Sequence, residues 1–168
     1  MNYNISGGKM RRKEREITDF EKILKILDEA EYLTLALLDD NGPYSVPVNF
    51  GYLADSAKKN VRIFIHGALE GTKISCIKKC PKAAFSAVSH SEIGKEKEPC
   101  GWTNFYKSVC GSGTASLAVD SDEKKQGLLC ILKKYGYKGP AFFPAAMMAR
   151  TSVIKIDVEK LSGKAHEK

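Results

Sequence analysis

The sequence predicts a mainly β fold with flanking helices, either an antiparallel barrel or an α+β layer. Three observations carry this. Strand-length apolar runs follow one another along most of the 168 residues. Only two substantial helical patterns interrupt them, which argues against the regular strand–helix alternation of a doubly wound sheet. No GxGxxG or Walker lysine motif occurs, so the usual dinucleotide and nucleotide sites of such sheets are not visible.

In chain order, residues 1–9 read as a flexible extension ahead of a single domain over 10–160. Thr18 opens a helix, with Glu21 three residues later as a capping box requires. Phe20, Ile23, Leu24, Leu27 and Ala30 follow at helical spacing. Residues 32–38 form an apolar strand, and Asp39 to Pro43 have the residue types of a hairpin turn. The returning strand, 44–52, carries Tyr44, Val46, Val48, Phe50 and Tyr52 on one face. A third strand spans 61–65, and a short helix over 73–79 ends before Pro81. Residues 83–88 are strand, 91–101 a polar loop, and 103–119 a long strand region broken near Gly111 and Gly113. The second substantial helix spans 122–135, with Leu128, Leu129, Leu132 and Tyr135 on its apolar side and Gly136 ending it. A bent connection over 139–144 leads through a short helix to a last strand at 150–158, and residues 161–168 read as a polar tail.

Composition narrows the function classes. The apolar share of 43% and charged share of 28% are ordinary for a globular protein. No apolar run approaches a membrane span, and the N-terminus lacks the apolar core of a signal peptide, so the expectation is a cytoplasmic protein without a membrane partner. The five cysteines, Cys76, Cys80, Cys100, Cys110 and Cys130, include no CxxC pair, which suggests reduced thiols and no metal site. The formal charge of +7 suits an anionic ligand. Much of it sits in the terminal run Lys9 to Arg15, without a zinc finger, basic zipper or aromatic RNA-binding signature, so no nucleic-acid partner is expected.

Two segments stand out chemically. His66-Gly67-Ala68-Leu69-Glu70-Gly71-Thr72-Lys73 joins a strand to a helix through two glycines. Lys73 falls in the first helical turn, where the macrodipole is already positive. A bound phosphate would account for the glycines and for the lysine, because helix N-termini offer unpaired N–H groups to anions. A surface turn with a solvated lysine accounts for them too. The second segment is the other face of the returning strand: Ser45, Pro47, Asn49 and Gly51 are small, polar or rigid. Pro47 cannot donate a ladder hydrogen bond, so the strand lies at an edge or is interrupted there. Such a strand lets a flat ligand approach the backbone; equally, the proline blunts an edge against aggregation.

Taken in order, Met10 to Ile17, Gly42 to Tyr52, Ile65 to Lys73, and Tyr106-Lys107-Ser108-Val109 followed by Gly111 and Gly113 resemble the flavin-binding split-barrel proteins related to pyridoxamine 5'-phosphate oxidase. Within that family the nearest likeness is to the nitroimidazole-resistance proteins. The resemblance implies a six-stranded antiparallel split barrel that binds FMN, with FAD as the alternative. It also implies a homodimer with flavin sites at the subunit interface, reducing a small-molecule electron acceptor such as a nitroimidazole. By motif match, Pro47, Val48, Asn49 and Phe50 line the ring system, while His66, Gly67, Gly71, Thr72 and Lys73 hold the phosphate. Tyr106, Ser108 and Val109 close the site, and His66 is the one catalytic candidate. Two other readings stay open: a flavin sensor or carrier without turnover, and a haem-binding split barrel with His66 as ligand.

Overall fold

The computed structural model describes residues 10–168; the expected extension over 1–9 lies outside the described residues. The strands are β1 (Glu16–Ile17), β2 (Leu33–Asp39), β3 (Gly42–Val48), β4 (Gly51–Asp55), β5 (Asn60–Gly67), β6 (Lys82–Gly94), β7 (Thr103–Leu117) and β8 (Ser152–His166). The helices are α1 (Phe20–Glu29), α2 (Thr72–Lys79), α3 (Ser121–Lys134) and α4 (Ala145–Arg150). All strand pairs described are antiparallel, in the order β3-β2-β6-β7-β8-β5-β4, with β1 added to β8. The mainly β class with flanking helices is as the sequence predicts, and the fold is of the split-barrel type.

The strand count of six becomes eight. β1 is a two-residue addition beside Gly163 and Lys164. The predicted strand over 44–52 is two strands with different partners. β3 pairs with β2 as far as Leu33↔Val48, and β4 takes up pairing with β5 from Gly51↔Phe64. The inward alternation of Val48, Phe50 and Tyr52 continues through the change, so the pattern alone does not reveal it.

Other boundaries move for local reasons. The cap of α1 is Asp19 rather than Thr18: its carboxylate accepts from the backbone N–H groups of Glu21 and Lys22. β6 continues to Gly94, into the predicted polar loop. The break foreseen in the long strand is a register shift at Ser112/Gly113, and β7 stays continuous. The supposed tail is strand: β8 runs to His166, paired with β7, and Gly163 passes under Ile17 and Ile23, where a Cβ would lie 2.9 Å from each side chain.

One core unites α1, α2 and the inward faces of the strands, with Ile23, Leu27, Leu33, Leu35, Phe50, Ile63 and Ile65 fully buried among its members. Burying such side chains contributes about 1.5–3 kcal/mol each. A smaller cluster sits where α3 covers β5 and β8, around Phe64, Ile131 and Val153. α3 also lies against the β4 backbone: a Cβ on Gly51 would be 2.3 Å from Ile131 N. α3 therefore covers the β4–β5 side, while the outer face of β3, β2, β6 and β7 keeps Pro47, Ala84, Val88 and Cys110 exposed.

Candidate functional site

The change of partner between β3 and β4 creates the site. Asn49 belongs to neither ladder, and extending the β4–β5 register two residues beyond Gly51↔Phe64 brings it opposite His66. Here Tyr32, Pro47, Val48, Asn49 and His66 line an open cleft of about 450 Å³. Pro47, Asn49 and His66 are exposed, whereas Val48 is half-buried and packs on the core.

The crossover is anchored from behind by the end of α3. Tyr135 donates its hydroxyl to Glu31 O at 2.6 Å and accepts from Phe50 N–H at 3.4 Å. Lys134 Nζ donates to Leu27 O, Asp28 O and Ala30 O at 2.8, 3.0 and 2.7 Å. It thereby satisfies carbonyls at the C-terminal end of α1, where a cation also meets the negative pole of the helix. The same ammonium stands 4.5 Å from the Phe50 ring centroid. Burial lowers the Lys134 pKa below the ordinary lysine value, against the opposing charge of Asp28.

The glycine turn continues from the cleft. Gly71 has φ of 122°, a conformation that favours glycine, and forms the N-cap of α2. The first turn of α2 contains Lys73 and no acidic residue. The Lys73 stem folds back beside the end of β5: a Cβ on Gly67 would lie 3.9 Å from Lys73 Cε. Buried Ser152 ties the turn to β8 by donating to Ala68 O at 2.6 Å. Among the described residues, neither His66 nor Lys73 has a side-chain hydrogen bond or ion pair.

The predicted site residues thus form two groups. Pro47, Val48, Asn49 and His66 meet in the cleft, and Gly67, Gly71, Thr72 and Lys73 follow His66 through the turn into the start of α2. Tyr106 and Ser108 lie on β7, on the outer face of the sheet. Across that face, Pro47↔Thr34, Thr34↔Ser86, Ser86↔Cys110 and Cys110↔Ser162 form one row. Two residues further along each strand, Val88, Ser108 and Lys164 form the next row on the same face, which Tyr32 and Asn49 continue where the β2–β3 register is extended one residue past Leu33↔Val48. At about 4.8 Å per strand, Ser108 is about 14 Å from Asn49. Phe50 and Val109 are 0% exposed and point into the core, so their side chains do not line the cleft. Tyr32, 54% exposed, is a cleft residue that the sequence reading took only as the start of a strand. Among the described residues, no group of three or more His, Cys, Asp or Glu side chains is placed to hold a metal ion. No described helix is long and apolar enough to cross a membrane.

Comparison with known proteins agrees with this architecture. No curated protein sequence matches the chain. Among solved structures, a candidate 5-nitroimidazole antibiotic resistance protein from Bacteroides thetaiotaomicron VPI-5482 superposes with a TM-score of 0.76 at 24% identity, covering 89% of this chain and 85% of that one. The flavocytochrome Anf3 from Azotobacter vinelandii gives 0.77 at 17% identity, over 95% of this chain and 73% of its own. A FAD- and haem-binding protein from Mycobacterium smegmatis gives 0.76 at 19% identity, over 92% and 74%. At these identities the likeness shows the shared fold. The family pattern described as pyridoxamine 5'-phosphate oxidase matches residues 19–165, nearly the whole described chain, and the protein belongs to that family.

Proposed function

We propose that this protein is a flavin-dependent oxidoreductase that binds FMN in the cleft at Asn49 and His66 and acts as a homodimer. One observation carries the reading: the strand interruption at Pro47–Asn49 and His66, at the end of the strand that leads into the glycine turn, meet in one open cleft. The residues there fit a flavin. Pro47 and Val48 offer a rigid platform, and Asn49, outside both ladders, leaves backbone donor and acceptor groups for a polar ring edge. Gly67 leaves room for the Lys73 stem, whose ammonium and the N-terminus of α2 suit a phosphate. His66, between the two, hydrogen-bonds the anion and is the residue best placed to touch the reacting end of a substrate.

When bound, the flavin supplies the redox chemistry; the chain holds it, orients it and limits its contact with water. A small acceptor enters at the open side of the cleft beside Tyr32, and nitro compounds are the acceptor class we favour. That the Azotobacter and Mycobacterium neighbours are described as a flavocytochrome and as FAD-binding supports a flavin in this fold. The two groups of site residues support the homodimer. A separation of about 14 Å is wider than a flavin ring system, so Ser108 and Tyr106 join the cleft only if a second copy brings them. The exposed small-residue face of β3, β2, β6 and β7 is the surface that such a copy would cover.

The test is titration of the protein with FMN, followed by quenching of flavin fluorescence, together with light scattering for mass. Saturable 1:1 binding per chain by a dimer, with nitro-acceptor reduction at the expense of NAD(P)H, is expected. Absence of binding overturns the reading; binding without turnover under any donor leaves a flavin carrier.

A further inference from the structure

We infer that Lys164 of one copy completes the flavin cleft of the other, as the cation that faces the bound ring system; this rests on the flavin reading above. Lys164 lies on the outer face of β8, in the same row as Ser108, Val88, Tyr32 and Asn49. Ser108 donates its hydroxyl to Lys164 O at 3.4 Å, and the ammonium stands 5.9 Å from the Tyr106 ring centroid. Burial raises the Cys110 thiol pKa while the Lys164 charge opposes it, as expected for a shared face. Lys164 is half-buried and has no acidic partner among the described residues. Across β3, β2, β6, β7 and β8 it is the one charge in its row and in the row through Pro47 and Cys110; Glu16 of β1 stands opposite it on its other side, beyond the row's span over the cleft.

The order of strands decides where this charge goes. On the exposed face, β3 and β2 lie two and one strands to one side of β6, and β7 and β8 lie one and two strands to the other. A two-fold axis lying in this face along β6 reverses that order in the second copy without changing the row. It sets β8 over β3 and so sets Lys164 over Asn49. An in-plane axis across the strands would set β8 on β8 and leave both half-sites incomplete. Only the first arrangement unites the two groups of site residues, and it is closed and self-complementary, as a dimer interface must be. A buried ammonium at the ring then favours negative charge on the ring's polar edge, because its field is little screened there.

The experiment uses the full chain loaded with FMN, and reads sulfite affinity, which rises when negative charge on the bound ring is stabilised. Lys164→Met is expected to weaken sulfite binding roughly tenfold or more. Lys164→Arg is expected to stay near wild type, as is Lys160→Met, a control at an exposed position in the middle of the same strand. Mixed refolding of Lys164→Met with Lys73→Ala tests the contribution across the interface: a mixed dimer has one cleft with both lysines intact. A fraction that combines wild-type FMN affinity with wild-type sulfite affinity should appear in the mixture and in neither variant alone. Unchanged sulfite affinity in Lys164→Met, or no recovery on mixing, overturns the inference while leaving FMN binding in place. A Lys164→Met protein that becomes monomeric by light scattering makes the lysine an interface residue only, and also overturns it. If wild-type protein takes up no FMN, the functional reading fails first and this inference with it.

Discussion

Replacing Lys134 by methionine isolates the anchor behind the cleft, because methionine keeps most of the apolar stem and removes the charge. The ammonium makes three hydrogen bonds to carbonyls of Leu27, Asp28 and Ala30. Hydrogen bonds from a charged donor contribute about 1.5–3 kcal/mol each, and a cation at a helix C-terminus up to about 2 kcal/mol. Desolvation opposes these gains, in line with the lowered pKa of Lys134. The Asp28 carbonyl, at the exposed bond, recovers water when the lysine is removed, whereas those of Leu27 and Ala30 are partly buried. A net loss of about 2 kcal/mol follows, or about 4–8 °C in Tm for a chain of this size. Urea denaturation at neutral pH checks it. A pH series adds a sign. Lys134 binds its proton less tightly folded than unfolded, so its contribution to stability rises with pH between its lowered pKa and the ordinary lysine value. Lys134→Met should remove that slope. A variant within about 0.5 kcal/mol of wild type would refute the anchoring role.

Three further outcomes are expected. Lys73→Ala should weaken FMN binding roughly tenfold or more, while Lys97→Ala, remote from the cleft, leaves it unchanged; equal affinities in a fluorescence titration would remove the phosphate cradle. Gly51→Ala should cost about 3 kcal/mol in denaturant unfolding, because the new methyl meets the backbone of Cys130 and Ile131; a neutral result would mean that α3 sits further from β4. Burial first, and the hydrogen bond to Asp28 second, raise the Tyr52 pKa. Its stabilising contribution is therefore full below the ordinary tyrosine value and is lost as pH rises through the raised one. Tyr52→Phe should flatten the alkaline decline in stability, and an unchanged decline counts against the assignment.

How much of this was legible in the sequence differs by element. The apolar spacing of α1 and α3 is local information, and both helices lie where that spacing predicts, within the usual end effects. The Thr18–Glu21 spacing matched a capping box, but the neighbouring Asp19 carboxylate makes the stronger, charge-assisted cap. The split of β3 from β4 left no mark in the alternation; only Pro47 signalled that a ladder ends there. Residues 161–166 looked like a tail because their outward side chains are polar and Gly163 carries none, although a strand with one exposed face has that composition. In the site, the backbone features at Pro47–Asn49 and Gly67–Lys73 were readable because proline and glycine report local geometry. The burial of Phe50 and Val109, the place of Tyr32, and the anchoring by Lys134 and Tyr135 depend on packing between elements distant in the chain. The period-2 pattern did give the inward direction of Phe50, since it set Phe50 on the face of Val46 and Val48, opposite Pro47 and Asn49.

The central claim is that the cleft between the strand interruption and the glycine turn holds a flavin. The most direct measurement is an absorbance spectrum of freshly purified protein, with mass identification of any chromophore released on denaturation. A two-band flavin spectrum and release of FMN are the predicted result. A Soret band would contradict it in favour of haem, and colourless protein that takes up no added FMN would remove the cofactor and the oxidoreductase reading together.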